Sequence, residues 1–223
     1  MKLLLLFAAR GGAGSALTDA VVTEATRLRA AGATSVCAMR QIASDPFALA
    51  VPGMRSFEAS IDARFDAIEA AGAPLDGLAD RFGALVHVDL SGVFGGDDHV
   101  VIPGPPTPVR YQYLMRRRIH TGHEQYLDHY IHNHAKFGLR TQGIEGYVQF
   151  HIDADTSRAL ATTAGFGLWA ADSVSELHAV SLEAMLAGFA TDPTLADDAG
   201  ADEERFVDRT NSVMFTSDIV YRD

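Results

Sequence analysis

Residues 118–150 read RIHTGHEQYLDHYIHNHAKFGLRTQGIEGYVQF. Five of the chain's nine histidines fall between His120 and His134, and a strand-like run, YVQF, follows shortly after. From His123 to Gly138 apolar residues recur at helical spacing, so the stretch reads as an amphipathic helix feeding a strand. At about 100° per residue, Tyr126, Leu127, Tyr130, Ile131, His134 and Phe137 share one stripe. His129, His132, Gln125, Asp128 and Lys136 face the other way and read as solvated. His132 and His134 lie about 160° apart, so the His-Asn-His run cannot grip one metal from this helix. His129 and His132 have a ligand-like spacing, but on the solvated side and with no third ligand in view, so no metal is expected.

The elements on either side set the architecture. Leu3 to Ala9 is an unbroken apolar run that reads as a buried strand, being at the short end for a signal segment and lacking a cleavage site. Gly11, Gly12 and Gly14 make a turn whose Ser15 can cap the next helix. They lack the third spaced glycine and the acidic residue of a dinucleotide site. Thr18 to Ala31 reads as a helix, Ala33 to Ile42 as a strand and Phe57 to Phe65 as a third strand. An interrupted helix from Ile68 to Phe82 leads to a fourth strand near Leu85 to Leu90.

Val100 to Val109 holds four of the eight prolines and marks a boundary. The same order then repeats: strand Val109 to Ile119, helix His123 to Gly138, strands Ile144 to Ile152 and Ser173 to Ala179, helix Leu182 to Phe189, strand Ser212 to Tyr221. The expectation is an α+β fold of two ferredoxin-like βαββαβ units, residues 1–102 and 109–223, whose sheets enclose a shared cavity.

Composition narrows the function classes. The 223 residues are 48% hydrophobic and 21% charged, which suits a packed globular chain. A net charge of -11 and a pI near 5.1 argue against nucleic acid as the main partner. The tight basic run is Arg116, Arg117 and Arg118, with Arg110 upstream. The single cysteine, Cys37, lies in an apolar run, excludes an internal disulfide and fits a reducing cytoplasm. No window approaches the roughly 20 apolar residues of a membrane helix.

Five pieces of the second half, VRYQYLMRRR, YLDHYIHNHA, GIEGYVQF, SELHAVSLEAM and ERFVDRTNSVMF, follow one another at familiar spacings. This resembles the EthD family of dimeric α/β-barrel proteins, from Val109 to the C-terminus. The resemblance implies that Tyr126, Tyr130 and His134 are the family's helix aromatics and histidine, and that a homodimer is expected. The first half's helix, DAVVTEATRLRAAG, has no histidine, which implies a tandem duplication with one functional and one structural half.

Side-chain alternation suggests where a ligand would sit. In YVQFHI, Val148, Phe150 and Ile152 share one face, and Tyr147, Gln149 and His151 the other. With the apolar face under the helices, the mixed face points into the barrel. Glu176 and His178 also share a face, as do Gln112, Leu114 and Arg116. Such an interior is too polar for a plain core and reads as a small-molecule pocket, with Trp169 as an aromatic rim.

His134 has two readings: a buried histidine satisfied by its neighbours, or a general acid–base oriented by Tyr130. No nucleophile elbow, phosphate loop, haem-attachment or thiol-redox motif is present, so the expected chemistry is cofactor-free proton transfer. The roles that follow are His134 or His151 moving a proton, Tyr130 assisting, and Arg116 holding a carboxylate or enolate. Tyr126, Tyr147, Gln149, Glu176 and His178 complete the binding wall. The expected function is a lyase or isomerase (decarboxylation, dehydration or enolisation) acting on an aromatic or polyketide-like molecule. The alternatives are a non-catalytic binding or accessory protein, and a haem- or metal-assisted oxygenase.

Overall fold

A computed structural model describes residues 1–48 and 57–223. In chain order the elements of the first half are β1 (Lys2–Phe7), α1 (Gly14–Ala30), β2 (Ser35–Gln41), β3 (Ala59–Arg64), α2 (Glu69–Leu75), α3 (Leu78–Phe82) and β4 (Gly92–Ile102). The second half holds β5 (Val109–Met115), α4 (His123–His129), a π-helical turn (Tyr130–His134), α5 (Ala135–Arg140), β6 (Gly146–Asp153), α6 (Ala154–Ala164), β7 (Ser173–Ala179), α7 (Leu182–Phe189), α8 (Leu195–Glu203) and β8 (Val213–Arg222).

The strands close into one barrel in the order β1-β3-β2-β8-β5-β7-β6-β4, every pairing antiparallel. Within each half the order is that of a ferredoxin-like sheet, and the seams β2–β8 and β4–β6 join the halves edge to edge. This is the dimeric α/β-barrel architecture completed within a single chain.

Both faces of β1 are buried, which is why it reads as an unbroken apolar run. Leu3, Leu5 and Phe7 pack outward against Leu17, Val21, Ala25 and Leu28 of α1. Leu4 and Leu6 point inward and meet Leu114, Phe150, Ile152, Val174 and Phe215 from strands that are not their neighbours, so this cluster fills the barrel. The other end of the barrel is charged. Lys2 Nζ lies 2.7 Å from Glu176 Oε1 and 3.1 Å from Asp62 Oδ2, and Arg110 Nη1 lies 2.9 Å from Asp62 Oδ2. Burial opposes each charge, but the opposite charges outweigh it: Lys2 is held above its ordinary pKa and Glu176 well below its own.

Three expectations are corrected. The fourth strand is Gly92–Ile102, running into the proline-rich stretch, whereas residues 85–90 form a turn with an isolated bridge at Val86. Helices α6 and α8 were not anticipated; α6 starts where Asp153 accepts from the Thr156 amide at 2.7 Å. Ser15 caps nothing, since α1 begins at Gly14.

The largest correction concerns β6. Phe150 and Ile152 face the barrel interior, and Tyr147, Gln149 and His151 face the helices, the reverse of the expected phase. Among the described residues no helix is long and apolar enough to cross a membrane.

Candidate active site

The outward faces of β5, β6, β7 and β8 form a floor for the helix that follows Gly122. Tyr126, Tyr130, His134 and Phe137 come down onto that floor, as the stripe predicts, all buried. The helix is not uniform. Its π turn at Tyr130–His134 widens the spiral locally and offsets the residues after Tyr130, a device that recurs at functional sites. Gly138 lets α5 descend: a Cβ there would lie 2.3 Å from the Tyr147 ring.

Between this helix, α7, α8 and the sheet lies a cavity of about 270 Å³. His134, Tyr113, Tyr147, Glu203 and Arg209 supply its polar groups, and Phe137, Phe189 and Leu195 much of its apolar wall. Phe47 reaches in from the first half, edge-on to Tyr111 at 4.9 Å. The volume is just below the roughly 300–1,000 Å³ typical of small-molecule sites, which suits a small ligand.

The chemistry converges on His134. Its Nδ1 is 2.9 Å from Asp202 Oδ2, while its Nε2 is 3.9 Å from Glu203 Oε1. Burial lowers the His134 pKa below its ordinary value, against the pull of Asp202, so the ring is neutral at neutral pH. Burial works against ionisation of Asp202, but hydrogen bonds from His134 and His129 prevail and keep its carboxyl below the usual range. An ionised Asp202 therefore accepts the Nδ1 proton and leaves Nε2 a free base aimed at Glu203.

Glu203 is the converse case. Burial pushes its carboxyl up to about 7, offset only in part by Arg209, whose Nε lies 3.4 Å from Oε2, and by Tyr113. A basic imidazole thus faces a carboxyl poised between its acid and base forms, the arrangement that acid–base chemistry needs near neutral pH. The buried hydroxyls of Tyr113 and Tyr130 have no hydrogen-bond partner within bonding distance among the described residues. Tyr113 stands on the cavity wall beside Glu203, and burial raises its pKa, so it keeps its proton and can act as a donor there.

The sequence-predicted residues fall into three places. His134 and Tyr147 line the cavity, and Tyr130 lies over it with its ring 5.9 Å from that of His134. Gln149 braces this group from below, donating to the Tyr130 carbonyl at 3.2 Å and the Tyr147 hydroxyl at 2.9 Å, so it holds the site rather than a ligand. Tyr126 is fully buried, its hydroxyl 2.6 Å from Ser173 Oγ.

His151 is on the same face but off the cavity lining. Its ring stacks on His99 at 5.7 Å, and burial lowers its pKa to about 4. Glu176 and His178 are across the sheet in the charged end of the barrel, 3.8 Å apart, and Arg116 lines a different cavity with Trp169. The expected single pocket is therefore divided by the sheet, because Tyr147 and Glu176 point to opposite faces. His129, expected to be solvated, instead lies 3.1 Å from Asp202.

Asp202, Glu203 and Arg209 escaped sequence reading. Asp202 and Glu203 lie within an acidic run, LADDAGADEERF, that looks like a solvated helix face, and Arg209 comes just after it. Tyr113 was passed over because its neighbours Gln112 and Leu114 were taken as the informative face of β5.

Fold and site together define a dimeric α/β-barrel protein with a helix-borne histidine over its sheet. Residues 119–210 match the EthD domain. Among solved structures, an anthrone oxidase-like protein is similar at 13% identity, covering 100% of this chain and 91% of its own, with a TM-score of 0.68. A candidate monooxygenase of Fusobacterium nucleatum has 6% identity, coverage of 100% and 93%, and a TM-score of 0.59. A heme-binding protein of Thermus thermophilus has 12% identity, coverage of 99% and 91%, and a TM-score of 0.51. At these identities the likeness is one of fold. A search of curated protein sequences finds no match.

Proposed function

We propose that this chain is an enzyme of the lyase or isomerase type that moves a proton on an aromatic or polyketide-like small molecule in the tyrosine-lined cavity. The observation that carries this reading is the pairing of His134 Nε2 with Glu203 Oε1 at 3.9 Å, with Asp202 fixing the imidazole from behind. That gap is too long for a direct hydrogen bond, yet short enough for one substrate atom to touch both groups.

In the simplest step, Nε2 takes a proton from a carbon next to a carbonyl, the C–H electron pair becomes the C=C of an enolate, and the carbonyl π pair moves onto oxygen. Protonated Glu203 or Tyr113 donates to the enolate oxygen, and return of the proton at another carbon completes an isomerisation. Arg209, beside Glu203, offsets the developing negative charge. The second half supplies these groups, and we read the first half as a fused structural partner that contributes Phe47 to the wall.

The name of one fold neighbour raises haem. The residues here do not fit it: Nε2 of His134, the atom that would ligate iron, faces the Glu203 carboxyl at 3.9 Å, and a porphyrin plane has no room between them. The names anthrone oxidase-like and monooxygenase favour a second reading, in which molecular oxygen traps the same carbanion. Oxygen consumption separates the two.

The direct test is hydrogen–deuterium exchange at the acidic carbon of hydroxyaromatic and polyketide-derived ketones, followed by NMR. Exchange should be catalysed by the wild type and fall by roughly 10²-fold or more in His134→Gln and in Glu203→Gln. Full exchange activity in both variants would sink the assignment. Binding without exchange by the wild type would favour the carrier reading. We retain a homodimer as a proposal, but not through strand edges: the eight strands close on themselves, and a partner needs another surface.

A further inference from the structure

A second cavity, of about 450 Å³, opens between α6, the end of β5 and the loop from Gly165 to Asp172. It shares no lining residue with the cavity under His134. Ile152, Leu168 and Trp169 give it apolar walls, and Trp169 is anchored edge-on to Phe57 at 5.2 Å. Four arginines converge on it, Arg116, Arg117, Arg118 and Arg158, in a chain whose net charge is -11.

The local charges do not cancel. Asp172 is a carboxylate of the lining, and it is already engaged by Arg117 and by His123 Nδ1 at 2.9 Å. Arg118 donates to the Glu204 carbonyl, and Arg158 pairs with exposed Asp155 at 2.9 Å. Arg116 is different: it is half-buried, and its guanidinium makes no ion pair or hydrogen bond with any described residue. A guanidinium carries planar, forked donors that match a carboxylate, and one left unpaired on an apolar wall is a recognition element without its ligand.

We propose that this cavity binds an organic anion of the aryl-carboxylate class, with Arg116 engaging the carboxylate, Arg158 adding field at the rim, and Trp169 and Leu168 covering the apolar body. The volume lies within the usual range for small-molecule sites, and a positive pocket on an acidic protein concentrates such anions locally. The site is separate from the acid–base cavity and stands or falls independently of it.

Trp169 is the only tryptophan in the chain, so its fluorescence reports on this cavity alone. The experiment is a titration of the full chain with 4-phenylbutyrate, with the neutral 4-phenylbutan-1-ol as control. The acid should change Trp169 emission saturably, the alcohol should bind at least tenfold more weakly, and Arg116→Gln should weaken the acid tenfold or more. Arg158→Gln, at an exposed rim, should weaken it severalfold, and that variant decides the matter if Arg116→Gln fails to fold. Glu203→Gln should leave the affinity unchanged. No saturable change, equal binding of acid and alcohol, unaltered affinity in the arginine variants, or loss of the signal in Glu203→Gln would each overturn the proposal.

Discussion

Replacing Glu203 by Gln tests the electrostatics of the site without needing a substrate. In the folded chain this carboxyl is raised from 4.5 to about 7, chiefly by burial. At about 1.36 kcal/mol per pH unit, that rise amounts to roughly 3 kcal/mol of coupling between protonation and folding. The folded state binds the proton more tightly, so the stabilising contribution is complete below about pH 4.5 and is lost as the pH climbs through about 7. The glutamine variant cannot titrate, and subtracting its stability from that of the wild type isolates this one group. Urea unfolding of both proteins from about pH 5 to about pH 8 should show the wild type losing roughly 2–3 kcal/mol relative to Glu203→Gln, or about 5–10 °C in melting temperature. A difference that stays flat across this range would mean that Glu203 is solvated in the folded chain, and the acid–base pairing with His134 would lose its basis.

Three further outcomes follow from the same geometry. Asp202→Asn removes the acceptor that holds the His134 Nδ1 proton and should cut the turnover number by about 10²–10⁴-fold with little change in KM, read by steady-state kinetics; unchanged turnover would exclude the positioning role. Lys2→Met leaves Asp62 and Glu176 buried with less compensation and should destabilise the chain by about 3–5 kcal/mol in denaturant unfolding, a loss under about 1 kcal/mol counting against it. Gly138→Ala drives a methyl group into the Tyr147 ring and should cost about 1–3 kcal/mol and alter the cavity, seen as a shifted melting temperature and weaker ligand protection; a neutral effect would mean that the helix rides higher over the sheet.

How much of this could be read from the residues alone varies along the chain. The helix after Gly122 was legible because burial on one side imposes a period of about 3.6, and the stripe Tyr126, Tyr130, His134 and Phe137 is buried as that period requires. What the period did not reveal is the π turn at Tyr130–His134, which depends on how the backbone settles over the sheet. The acidic run before Phe206 carried no usable signal, since a carboxylate on a solvated helix and one buried against a histidine are written with the same letters.

Sequence by itself therefore determined the two ferredoxin-like halves and the buried face of the helix that carries His134, because these follow from local periodicity and chain order. Only the tertiary structure decided which face of β6 looks into the barrel. Both faces are buried, so alternation separates them without saying which is inside. It also brought Asp202 to His134 across 68 residues, and it set Arg116 and Glu176 apart from that histidine. Long-range pairing and burial are properties of the closed barrel, and no stretch of the chain contains them.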